Sequence, residues 1–195
     1  MSEQNNKKTG FGLGQIIVIV IVLVCIFNFF NGSDKNNEKE QNINISSYST
    51  DSASLVKLFK NTAKYKVDNV KAEYNDVFMS YTITYDYMDS VWDNADFVRK
   101  ALSDYINYCQ YAFKIPGIDC VSFEINTNMT DERGNVNMKN VMSIRMTKKA
   151  FSAYSWENME YRSGLYSNFQ RDSDFFWVYP GIAATLDDKN IYYVK

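Results

Sequence analysis

The sequence predicts an α+β fold: an N-terminal transmembrane helix, then a small domain in which an antiparallel sheet of two hairpins packs against one long helix. Three observations carry this. Residues 11–30 form an apolar run without a charged side chain, stretches of alternating apolar and polar residues come in two hairpin-like pairs, and one stretch with apolar residues three and four apart stands between those pairs.

The run comes first. At a rise of about 1.5 Å per residue it would span roughly 30 Å, the thickness of a bilayer's hydrocarbon core. Only Gln15 and Asn28 carry polar side chains within it. The β-branched stretch Ile16–Val24 favours a strand in water, but the run is too long for one, and a lone span in lipid must satisfy its own backbone as a helix. A cleaved signal peptide is the rival, with Lys7 and Lys8 as its basic head. The run exceeds the usual apolar core of about 7 to 15 residues, and Phe29-Phe30-Asn31-Gly32-Ser33 puts bulky Phe30 where cleavage wants a small residue. A lipoprotein signal would need a small residue before Cys25, where Val24 stands. Lys7 and Lys8 precede the run, while Lys35 and Lys39 behind it are diluted by Asp34, Glu38 and Glu40. This asymmetry predicts a cytoplasmic tail over 1–10 and an extracytoplasmic domain. Residues 31–50 are polar and read as a flexible linker, so the domain is expected over 51–195.

Within the domain, Asp51-Ser52 is expected to cap a helix that carries Leu55, Val56 and Phe59 on one side. Val67–Tyr74 and Val77–Tyr85 read as a hairpin about Asn75-Asp76, with Val77, Met79, Tyr81, Ile83 and Tyr85 on its buried face. Asp93 or Asn94 should cap the long helix, about Ala95 to Phe113, on which Val98, Ala101, Leu102, Tyr105, Cys109 and Ala112 share a face until Pro116-Gly117 stops it. Val121–Thr127 and Val136–Thr147 read as a second hairpin, with Met142, Ile144 and Met146 alternating. Helical turns near 148–154 and 164–171, a turn at Pro180-Gly181 and an edge strand over Ile191–Val194 complete the expectation.

Composition narrows the chemistry. The chain has no histidine, so a Ser-His-Asp triad, a Cys-His pair and any His-ligated metal are excluded. Three cysteines, one of them in the apolar run, cannot form a zinc site built from cysteines alone, which needs a fourth. A net charge of −2 and the lack of a basic block argue against nucleic acid. No cofactor, metal or catalytic residue is predicted. Asp86, Asp89, Asp93 and Asp96 have helical spacing but lack the calcium-loop pattern, and read as the solvated entry to the long helix. Glu124, Glu157 and Glu160 are the acids a glycosidase would draw on, by number alone. Cys109 and Cys120 could form a disulfide outside the cell. Cys109 falls on the core face of its helix, while Cys120, of opposite parity to Val121, Phe123 and Ile125, should point away from that core, so free thiols are the favoured expectation.

The run Phe175-Phe176-Trp177-Val178-Tyr179, with Trp156, is divided between core and contact surface. Trp156, Phe175, Trp177 and Tyr179 are the candidate partner-binding aromatics, since flat rings offer large contact area at low entropic cost.

The order hairpin, helix, strand, the polar turn Thr130-Asp131-Glu132-Arg133-Gly134-Asn135, a strand ending in Ser143-Ile144-Arg145-Met146-Thr147, and then Trp156-Glu157-Asn158 resembles small single-pass envelope proteins of low-GC Gram-positive bacteria and their mobile elements. The likeness covers about residues 65–160 and implies no catalytic residues. The layout of tail, span and outer domain is also similar to the VirB8-like component of conjugation machinery, although the element order differs. The expected function is therefore a binding or assembly module held to a lipid bilayer through residues 11–30, with a protein partner. A VirB8-like role is the alternative, and a carboxylate-dependent envelope enzyme a more distant one.

Overall fold

In a computed structural model, residues 43–130, 133–156 and 165–186 are described. The chain divides into two units, Met1–Ile43 and Asn44–Lys195, and every element below belongs to the second. This unit begins ahead of the expected Asp51. Asn44 caps a short 3-10 turn, Ile45–Ser47, and the Asn61 amide donates to the Tyr48 hydroxyl at 2.8 Å.

Two helices form where the sequence signals them. In α1, Ser52–Thr62, the Asp51 carboxylate accepts from the Ser54 N–H at 2.9 Å, and Leu55, Leu58 and Phe59 turn inward. In α2, Asn94–Ala112, the Asp93 carboxylate accepts from the Asp96 N–H at 2.8 Å. A capping oxygen of this kind supplies a partner that the first helical turn lacks. Val98, Ala101, Leu102, Tyr105, Cys109 and Ala112 are all fully buried. Gly117, at φ +87°, takes the left-handed conformation that turns the chain back toward the sheet.

The strands are β1 (Val67–Asn75), β2 (Ser80–Tyr87), β3 (Cys120–Thr130), β4 (Val136–Thr147) and β5 (Phe175–Val178), in the spatial order β1-β2-β3-β4-β5. Short helices α3 (Lys148–Phe151), α4 (Leu165–Asp172) and α5 (Pro180–Ala183) complete the unit.

Two parts of the predicted fold class are corrected. The sheet is mixed: β2 and β3 run parallel, Tyr81 beside Val121 through Asp86 beside Asn126, while the other pairs are antiparallel. α2 is the crossover that a parallel pair requires, so the two hairpins merge into one sheet. The predicted transmembrane helix over 11–30 lies outside the described residues, and among the described residues no helix is long and apolar enough to cross a membrane. The expected strand Ile191–Val194 also lies outside them; among the described residues, β5 flanks β4.

Val77 and Met79 are a further correction. They are not on a buried face but in the β1–β2 turn, 82% and 72% exposed. The Asn75 side chain accepts from the N–H groups of Val77 at 3.0 Å and Phe78 at 3.1 Å, and Met79 adopts φ +49°. Such local bonding offers the backbone an alternative to the ladder and ends the alternation.

Phe123 stands at the centre of the core. The rings of Tyr105, Phe59, Tyr108 and Tyr85 approach it with centroids 4.9, 5.3, 5.5 and 5.6 Å away. Three meet it edge to face, the arrangement that ring quadrupoles favour. Cys109 and Cys120 are both free and buried.

Candidate functional site: the uncovered sheet face

Alternation divides the sheet into two faces. Tyr85 of β2, Phe123 of β3, Ile144 of β4 and Phe176 of β5 point toward the helices. Their neighbours point the other way, to a face left uncovered by the described helices, on which Ser80, Thr82, Asp86, Ser122 and Ser143 are nonetheless buried. Two cross-strand rows define that face: Glu73, Thr82, Ser122, Arg145 and Phe175, then Lys71, Thr84, Glu124, Ser143 and Trp177. A bulge at Val141, where Ile125 pairs with Met142 but Asn126 with Asn140, returns Asn140 to the same face.

Two of the acids here, Glu124 and Asp86, are engaged by neutral donors. Glu124 accepts from the Asn140 amide at 2.8 Å and the Ser143 hydroxyl at 2.6 Å. Asp86 accepts from Asn69 at 2.7 Å and Asn126 at 3.0 Å. The Ser122 hydroxyl donates to Ser80 at 2.9 Å. Hydrogen bonding of this kind fixes side-chain orientation across four strands.

Arg145 differs. Its guanidinium carbon lies over the Phe78 ring, 4.2 Å from the centroid, and 5.8 Å from that of Phe175. Phe78 comes from the β1–β2 turn, which therefore reaches across β3 to a side chain of β4. Among the described residues, the guanidinium has no hydrogen-bond acceptor and no carboxylate at ion-pair distance.

The predicted aromatics separate. Phe175 and Trp177 sit half-exposed on this face. Tyr179 follows β5, also half-exposed, its ring 6.4 Å from that of Trp177 and its N–H bonded to the Val141 carbonyl at 2.8 Å. Trp156 does not join them. It is 4% exposed, stacks on Phe151, and donates its indole N–H to the Phe151 carbonyl at 2.7 Å.

The acidic series does not converge either. Asp86 is on the sheet face and Asp93 caps α2. Asp96 pairs with Lys100 at 3.0 Å and with Arg99. Of the three glutamates singled out, Glu124 is on the face, and Glu157 and Glu160 lie outside the described residues. Sequence reasoning missed Arg145 and Phe78. The one available signal was an arginine at an outward position between Ile144 and Met146.

Two other features lie away from this face. Trp92, 94% exposed, borders an open groove of about 440 Å³ with Asp93, Ala95, Asp96 and Arg99. On the helix side, Asp104 is fully buried: one oxygen accepts from the Lys64 N–H at 2.7 Å and the other has no partner among the described residues. Burial pushes its carboxyl up to about 7, against the backbone N–H groups of Lys64 and Tyr65. The hydroxyls of Tyr85 and Tyr87 are likewise without described partners, and burial raises both, with the charge of Asp104 contributing.

No family model, curated protein or solved structure matches this chain.

Proposed function

We propose that this protein is a membrane-tethered binding module and that the uncovered sheet face is its contact surface for a protein partner outside the cell membrane. The observation that carries this reading is the grouping of half-exposed Phe175 and Trp177 beside an Arg145 that has no acceptor of its own among the described residues. Tryptophan and arginine dominate binding energy at protein interfaces when a partner seals them from water. Asp86 and Glu124 are held by Asn and Ser side chains, which favours a positioning role over proton transfer. The tether reading is supported by the uncharged run 11–30, which would raise the domain's local concentration at the surface.

The test is in-cell crosslinking. A photoreactive residue at Thr84, central on the face, should capture a discrete protein, and one at Lys57 on α1 should not. Equal capture from both positions, or none from Thr84, contradicts the assignment. Removing residues 11–30 should release the chain from the alkali-washed membrane fraction; retention would remove the tether.

A further inference from the structure

We infer that Arg145 is a receptor for a carboxylate of the polypeptide partner, an acidic side chain or a chain terminus. This rests on the reading of the uncovered face as a binding surface and names the chemistry recognised there.

The first argument is the state of the guanidinium. Arginine carries five N–H donors in a planar fork and stays charged at any physiological pH. Here the flat of the group lies against Phe78, with Phe175 opposite Arg145 on the neighbouring strand. The rings stabilise the cation without using its donors. The side chain is thus held in place while its hydrogen-bonding edge remains free of any described partner.

The second argument is shape and charge. A carboxylate is planar and accepts two parallel N–H bonds from the fork. Glu124 stands in the adjacent row, so a phosphate dianion meets greater repulsion than a carboxylate monoanion.

The third argument selects polypeptide over acidic saccharide. Exposed apolar side chains bracket the face at both ends: Val77 and Met79 in the β1–β2 turn, Val136 and Met138 on the β3–β4 ribbon. The register puts Val136 and Met138 on the same side as Asn140. A polypeptide brings apolar side chains to cover such ends, whereas a sugar does not.

The test uses the full-length chain in detergent micelles, with amide, indole and guanidinium resonances followed by nuclear magnetic resonance. The probes are N-acetyl-phenylalanine, its neutral amide, inorganic phosphate and methyl glucuronide. The acid should saturate at about millimolar concentration, and shift the Arg145 Nε–H and Trp177 indole N–H together. The amide should bind at least about tenfold more weakly. Arg145→Gln should abolish the acid's effect while the Phe123 core resonances stay in place, and Arg145→Lys should restore it only in part. The inference is overturned if acid and amide bind alike, if Arg145→Gln leaves binding unchanged, or if phosphate or the glucuronide binds more tightly than the acid. Crosslinking from Thr84 without acid binding would sink this inference and leave the binding surface standing. Acid binding without crosslinking would remove the polypeptide partner, and the inference with it.

Discussion

The two faces of one five-stranded sheet are built on opposite rules. On the helix side, large rings fill the positions around Phe123, and the polar groups that remain, Asp104 and the Tyr85 and Tyr87 hydroxyls, are poorly partnered among the described residues. On the uncovered side, small hydroxyls and carboxylates are bonded to one another, and the large groups, Phe78, Phe175 and Trp177, stand around them. Packing decides the first face, so its stability is vulnerable to lost volume. Hydrogen-bond geometry decides the second, where losing a ring should cost recognition rather than folding.

The sharpest way to break this contrast is a pair of truncations. Phe123→Ala should lose about 3 to 5 kcal/mol of unfolding free energy, the usual cost of emptying a ring-sized core site. Trp177→Ala should stay within about 1 kcal/mol, as half-exposed positions do. Comparable losses in chemical denaturation would show that the uncovered face is also core.

The next effect is pH dependence on the helix side. Asp104 is pushed up to about 7, so between its unfolded value near 4 and that point the native state binds more protons than the unfolded chain. Its contribution is fully present below about pH 4 and is lost as pH rises through 7, by up to about 4 kcal/mol. Asp104→Asn keeps an acceptor for the Lys64 N–H and carries no charge. It should flatten the fall in melting temperature between about pH 4 and 7; an unchanged slope would place the titration elsewhere.

The remaining predictions concern the uncovered face. Arg145→Gln should lower crosslinking from Thr84 about tenfold, roughly 1.4 kcal/mol of affinity, with little change in thermal unfolding. Phe78→Ala, which removes the ring under the guanidinium, should weaken binding by a smaller factor of about 2 to 5, in line with an exposed cation–π contact of about 0.5 to 1 kcal/mol. A Phe78→Ala effect larger than that of Arg145→Gln would make the turn, not the arginine, the principal contact.

What the sequence made legible follows from what is local. The Asp51 and Asp93 caps, the three- and four-residue spacing from Val98 to Ala112, and the alternation of Met142, Ile144 and Met146 are all short-range signals, and each element stands near its expected bounds. Alternation says which residues share a face but not which strand lies alongside, so the parallel β2–β3 pairing was hidden. Val77 and Met79 carried the parity of a strand, yet the Asn75 side chain closed a turn around them. Trp156 and Trp177 are equally aromatic in sequence. Phe151 and Phe169 bury the first, and the register of β5 against β4 places the second on the other face. Arg145 acquires meaning from Phe78, which arrives from a turn two strands away.

Protection of the uncovered face inside the cell tests the central claim most directly. Thr84→Cys, a half-exposed position in a domain whose own Cys109 and Cys120 are buried, should react readily with a membrane-impermeant maleimide in the purified chain. In intact cells it should react markedly more slowly than Lys57→Cys, because a partner covers the sheet and leaves α1 open. Equal rates at the two positions in cells would show that nothing sits on this face, and the account would fail.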